Sequence, residues 1–245
     1  MIIESPYIIS HLCTTGLLAA IAWTGGVLVR RRAALVSYTR KVNHFAMYLV
    51  PQLLDLARTD VSVIINALGV LPIFVLFWKP IRTRLPFART MFASFDRPGD
   101  RPHTLKWMIS QFCAGAAVFL FMIAYFYHLG FASLTTMVLM VATVGDGLAE
   151  PIGVRYGKRT YAVRGFLVNR PYTRSYVGSL CVFVCSAVIV ALFYDSFTVP
   201  QLISALMCVP VAMTLAEAVA PHTWDTPFLI LAGGVCVAAI KQVVP

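Results

Sequence analysis

The chain has 245 residues, 59% of them hydrophobic, with a mean hydropathy of +0.79 and a formal net charge of +10. It is too apolar for an ordinary soluble domain and too long for a single span, so residues 1–245 read as one integral membrane domain. Long unbroken apolar runs stand in place of the alternation of barrel strands. In lipid such runs satisfy their backbone only as helix, which makes the expected fold all-α and polytopic.

The first apolar run, Tyr7 to Val29, is followed by Arg30, Arg31 and Arg32. A secretory signal carries its cations before the apolar core, so this order predicts a retained span with its C-terminal end inside and the N-terminus outside. Further spans are expected near 42–57, 61–78, 107–127, 131–149, 176–195, 197–216 and 227–240, eight in all. Seven is the alternative count, because Pro51 and Asp55 interrupt the second and the last is short. Cys13, Cys113, Cys181, Cys185, Cys208 and Cys236 all fall in apolar runs without metal-binding spacing, and read as small buried hydrophobes.

With alternating crossings, all basic residues except Arg58 and Lys241 fall on one side, in the stretches 30–41, 79–106 and 155–174. The positive-inside rule makes those loops cytoplasmic. A bacterial plasma membrane is the expected location, and an organelle membrane, of the endoplasmic reticulum or a plastid, is the alternative. The net charge follows from topology and requires no nucleic-acid partner, since basic loops between spans meet anionic headgroups.

Residues 79–106 form the longest loop between spans. Within it Phe87, Met91 and Phe95 recur every four residues beside Arg84 and Arg89, a pattern suited to a helix lying in the membrane interface; a solvated basic connector fits equally. The sequence RPGDRPH, 97–103, is a Pro/Gly-broken turn before the next span.

The stretch 144–178, VGDGLAEPIGVRYGKRTYAVRGFLVNRPYTRSYVG, carries the densest chemistry. Asp146 and Glu150 share a helix face if the helix continues, although Pro151 disfavours helix at Glu150 and can turn the chain there. Two carboxylates at headgroup depth suit Mg²⁺, which takes carboxylate, water and substrate phosphate. Gly145, Gly147, Gly153 and Gly157 permit close backbone approach, and Lys158, Arg159, Arg164, Arg170 and Arg174 can neutralise a polyphosphate. By itself the stretch reads more readily as a capped helix end followed by an inside-positive loop, because it is neither a Walker A loop nor a Rossmann fingerprint. Two further groups share its expected side of the membrane. Glu217, His222 and Asp225 lie in TLAEAVAPHTWDTPF, which has no Lys or Arg, and Arg40, Lys41 and His44 lie where the second span begins.

Four segments carry a resemblance. RKVNH at 40–44 resembles an RKxxH motif; GDGLAEPIGVRYGK at 145–158 resembles GDxxAxxxGxxxGK; TRSYVGS at 173–179 resembles KTxEGS; and AEAVAPHTWDTPF at 216–228 resembles a late Glu-Ala and Asp-Asn region. In that order they resemble the CTP-dependent polyprenol kinases that include dolichol kinase and phytol kinase, distant relatives of the phosphatidate cytidylyltransferases. The resemblance implies a membrane kinase that transfers the terminal phosphate of CTP, with Mg²⁺, to the hydroxyl of an isoprenoid alcohol or similar lipid. It implies Asp146 as the metal or nucleotide-phosphate residue, while Glu150 stands as a metal candidate on its spacing alone. It also implies Gly145, Gly153, Gly157, Lys158, Arg174, Gly178, Arg40 and Lys41 around the nucleotide, and Asp225, Glu217 and His44 as further catalytic candidates.

Two positions depart from the pattern: Val177 stands where the family has Glu, and Thr226 where Asn is common. A cytidylyltransferase forming a CDP-lipid and a non-catalytic lipid-binding or transport protein are the alternative readings. Asp55, in the weak second span, belongs to the last of these.

Overall fold

In the computed structural model, residues 5–54, 68–165 and 171–245 are described. Asp55, Arg58 and Arg170, with the adjoining parts of the second and third expected spans, lie outside them. Apart from one two-stranded hairpin the described elements are helical, so the fold is all-α as expected. The chain divides into two compact units, Met1–Lys106 and Trp107–Pro245.

In the first unit, α1 (Ser5–Arg30) packs against α2 (Val36–Leu53) and against α5 (Pro86–Ala93). Two short helices, α3 (Leu71–Phe77) and α4 (Lys79–Arg84), lead into α5. The close fit of α1 to α5 depends on Gly26, where an added Cβ would stand 1.7 Å from the Thr90 carbonyl oxygen. Phe77, Ala88 and Met91 are fully buried, and the Phe77 ring meets Phe92 and Phe95 edge-on at 5.4 and 5.3 Å. The anticipated stripe is therefore divided, with Phe87 exposed and Met91 in the core. The α2 helix buries polar side chains: Thr39 donates to the Ser94 carbonyl (2.8 Å), and Asn43 donates to the Ser94 hydroxyl (3.2 Å).

In the second unit, α7 (Ser133–Tyr156) packs against α8 (Tyr176–Leu192) and α10 (Asp225–Val243), while α9 (Val199–Val219) packs against α8 and α10. A further helix, α6 (Thr104–His128), meets α10 where Gln111 donates to Thr226 (3.0 Å) and Gly234 faces Met122. Pro151 does not end α7, and the helix runs on to Tyr156. Proline removes one amide donor and crowds the carbonyl four residues back, which here belongs to Gly147. Asp146 and Glu150 therefore lie one turn apart on a continuous helix.

Among the described residues five helices are long and apolar enough to cross a membrane: Tyr7–Arg30, Thr104–His128, Ser133–Tyr156, Val199–Val219 and Asp225–Val243. These coincide with five of the eight expected spans. The 17-residue helix Tyr176–Leu192 extends only about 25 Å at 1.5 Å per residue, short of a hydrocarbon core of about 30 Å. The α2 helix has the length of a span but carries Thr39, Arg40, Lys41 and Asn43 in its first two turns, and it is not among the five. The count of eight is not confirmed.

Candidate functional site: a buried arginine shared by carboxylates

After α7 the basic loop folds into an antiparallel hairpin, β1 (Thr160–Arg164) paired with β2 (Pro171–Ser175). By its charge this segment reads as loop in the sequence, although its Thr, Tyr and Val content suits a strand. The register sets Tyr161 opposite Arg174. Strand β2 runs directly into α8, because Ser175 caps the helix by accepting from the Gly178 amide at 3.0 Å. One short segment thus fixes both Arg174 on the strand and Ser179 in the first turn of the helix.

The chain between α9 and α10 closes over the hairpin. The His222 amide donates to the Arg164 carbonyl (2.9 Å), and the His222 ring stacks on Tyr172 at 3.7 Å and 9°. His222 is thereby engaged in packing, with Trp107 edge-on to it at 5.9 Å. This closure brings Glu217, on the last turn of α9, and Asp225, on the first turn of α10, to Arg174.

Arg174 Nε stands 3.5 Å from Glu217 Oε1, and Nη2 donates to Asp225 Oδ1. Its side chain is only 10% exposed. The third nitrogen, Nη1, is buried and has no hydrogen-bond partner among the described residues. Glu217 Oε2 accepts from the Ser179 hydroxyl (2.8 Å) and from the Tyr161 hydroxyl (3.3 Å), and those two hydroxyls lie 2.7 Å apart. Burial works against the charge on Arg174, but Asp225 and Glu217, with smaller contributions from Tyr161 and Asp146, outweigh it and raise its pKa above the ordinary value. Burial also raises the Tyr161 phenol above its ordinary value of 10.0, although its bond to Ser179 opposes this.

The expected residues divide into three sets. Asp146, Arg174, Glu217 and Asp225 form one electrostatic group, Asp146 itself being buried. Glycines 145, 153, 157 and 178 lie in the seam of α7 with Ser175 and α8. A Cβ on Gly178 would stand 2.9 Å from the Ala149 carbonyl oxygen, and one on Gly153 would stand 2.5 Å from Ser175 Oγ. Their smallness admits close packing, while Lys158 is exposed just beyond the helix end. Arg40, Lys41 and His44 belong to α2 in the first unit. There Arg40 pairs with the buried Asp100 (3.1 Å), Lys41 is buried, and His44 lies edge-on to Tyr48 at 5.0 Å. Tyr161 and Ser179 were missed as site residues. Ser179 lies inside a matched motif and was accessible on that ground, whereas Tyr161 joins only through the hairpin register.

Arg174 thus feels the charge of three carboxylates, Asp225, Glu217 and Asp146. Among the described residues no three His, Cys, Asp or Glu side chains lie together closely enough to hold a metal ion by themselves. The donor set fits Mg²⁺ brought with a nucleotide, which takes one or two carboxylates and completes its shell with phosphate and water. Asp146 and Glu150, one turn apart on α7, are the carboxylates that could contribute to such a shell. No family model matches the chain, and no curated protein or solved structure matches it either.

Proposed function

We propose that the protein is a CTP-dependent lipid kinase that transfers the γ-phosphate to the hydroxyl of an isoprenoid alcohol or similar membrane lipid. The observation that carries this reading is the convergence on Arg174 of three separate segments: 145–158 through Asp146, 173–179 through Arg174 and Ser179, and 216–228 through Glu217 and Asp225. They are three of the four segments in which the resemblance to polyprenol kinases resides; the fourth, 40–44, belongs to α2 in the first unit.

Phosphoryl transfer requires positioning and charge neutralisation more than covalent participation by the protein. Arg174 Nη1 is a buried donor with no acceptor among the described residues, suited to a phosphoryl oxygen, while Glu217 and Asp225 hold the planar guanidinium in place. Exposed Arg155, Lys158, Arg159 and Arg164 offer charge to the outer phosphates. In the reaction the bond from the γ-phosphorus to the β–γ bridging oxygen breaks, a bond to the lipid oxygen forms, and CDP leaves. The hydroxyl proton goes to Asp225 or Glu217. When bound with the nucleotide, Mg²⁺ would supply charge neutralisation at the transferring phosphate. Val177 removes the family's Glu from α8, and Glu217 brings an acid to Ser179 in the same turn.

The test is single-turnover transfer by purified protein in detergent, with CTP labelled at either the γ- or the α-phosphate, Mg²⁺, and a panel of phytol, farnesol, polyprenols, diacylglycerol and phosphatidate. Label reaching lipid from the γ position alone is the expected result. Label from the α position would identify a cytidylyltransferase, and no transfer with no nucleotide binding would favour a lipid-binding protein. Asp146→Asn should lower turnover at least a hundredfold while membrane insertion is retained; normal turnover in this variant would remove Asp146 from the site.

A further inference from the structure

A second charged feature lies wholly in the first unit. Arg30, Arg82, Thr83, Arg89, Phe92, Ala93 and Asp96 line a cleft of about 360 Å³. Each arginine is held by a neutral acceptor. Arg30 donates to the Thr90 hydroxyl (2.7 Å), Arg82 to the Phe77 carbonyl (3.2 Å) and Arg89 to the Thr83 carbonyl (2.6 Å). The Arg82 guanidinium also lies 3.8 Å from the centre of the Phe92 ring, which fixes its plane. The one carboxylate in the lining, Asp96, is bonded to Arg101 at 2.8 Å and accepts from Thr104 at 2.8 Å. Three arginines thus line one cleft, and among the described residues none of them is in an ion pair with a carboxylate.

Complementing helix C-termini accounts for Arg30 and Arg82, which lie in the last turns of α1 and α4. It does not account for Arg89 in the middle of α5, or for the convergence of all three on one space. Burial pulls the Arg82 pKa below its ordinary value, with Asp96 only partly opposing this, so the cleft holds charge that an anion would stabilise. A phosphate monoester matches it best. Its dianion suits several guanidinium groups better than a singly charged diester does, guanidinium forks fit phosphate oxygens, and Phe92 and Ala93 give an apolar wall for an attached chain. The volume lies toward the lower end of ligand pockets, about 300–1,000 Å³.

From this geometry we infer that the cleft between α1, α4 and α5 is a binding site for a phosphate monoester, separate from the Arg174 group. The inference does not depend on the proposed kinase activity, and its test involves no nucleotide. Purified protein in detergent is offered dioleoyl phosphatidate or dioleoyl phosphatidylcholine, and retained lipid is measured by native mass spectrometry. Inorganic phosphate is then titrated in as competitor. The wild type is expected to prefer phosphatidate at least tenfold. Arg89→Gln, at an exposed position, should reduce that preference at least fivefold with unchanged thermal unfolding, and Arg82→Gln/Arg89→Gln should remove it. Arg31→Gln, an equal loss of charge outside the cleft, should leave it intact. Competition by inorganic phosphate would make the phosphate group itself the ligand, and failure to compete would make it the lipid-borne monoester. No preference in the wild type, an unchanged preference in the double variant, or an equal loss in Arg31→Gln would overturn the inference.

Discussion

The Arg174 guanidinium organises its surroundings by being shared. It is buried between Glu217 and Asp225, so its removal would leave two carboxylates without their cation, a change that costs about 3–5 kcal/mol in buried pairs. Arg174→Ala is therefore expected to lower the unfolding temperature sharply in detergent. Arg174→Lys should restore part of that stability but not turnover, because an ammonium cannot meet two carboxylates and also present a third planar donor. A lysine variant with full activity would show that the fork geometry is immaterial. The raised pKa of Arg174 keeps its stabilising charge in place at every pH below its ordinary value, with loss only above that. Tyr161 behaves as an acid whose neutral form is favoured by the fold, so its contribution is present below pH 10.0 and falls as pH rises through its raised value. Absorbance titration of wild type against Tyr161→Phe should isolate one phenol ionising above that point; a component at or below pH 10.0 would contradict it. Asp146, Glu217 and Asp225 were legible in the sequence because carboxylates near membrane spans are costly and stand out. Tyr161 was not, since an aromatic in a basic loop gives no sign of the carboxylate it will meet.

At the scale of elements, glycine spacing fixes which helices can approach. Gly26 faces the Thr90 backbone carbonyl, which cannot rotate out of the way, whereas Gly16 on the same helix has nothing within 4 Å of a built Cβ. Gly26→Ala should force α5 off α1 at a cost of at least about 1–3 kcal/mol, while Gly16→Ala should be neutral or stabilising by about 0.5–1 kcal/mol. Thermal unfolding of the two variants side by side measures the difference; equal effects would show that α5 does not need that contact. Long apolar helices were legible because hydropathy depends on composition alone. The β1–β2 hairpin was not, because its pairing is set by Ser175 capping α8 and by the His222 segment closing over it, contacts between residues far apart in sequence. The continuation of α7 through Pro151 was hidden for a related reason: the local penalty is real, and packing of α7 against α8 and α10 overrides it.

For the whole molecule, the five matching long helices were read directly from hydropathy, while α2 and α8 show why the count differed. In α2 the first two turns bury Thr39, Lys41 and Asn43, and in α8 the apolar run is short for a span. Yet α8 and α9 both present outward apolar rows four residues apart: Leu180, Val184, Val188 and Leu192 on one, Ile203, Met207, Val211 and Leu215 on the other. Rows of this length are rarely left to water, because exposed apolar patches beyond a few hundred Å² drive association. Lipid is the covering that also explains why α9, at 21 residues or about 31 Å, matches a hydrocarbon core. Spin labels placed singly at 203, 207, 211 and 215 in reconstituted protein test this. Collisions with dissolved oxygen should exceed those with an aqueous nickel chelate at 207 and 211, and the ratio should fall toward the helix ends. A label at Val209, which is buried, should be shielded from both. Preferential collision with the nickel chelate at 207 would place the row in water and remove α9 from the membrane. Shielding from both reagents at 207 would mean that a protein surface covers it instead.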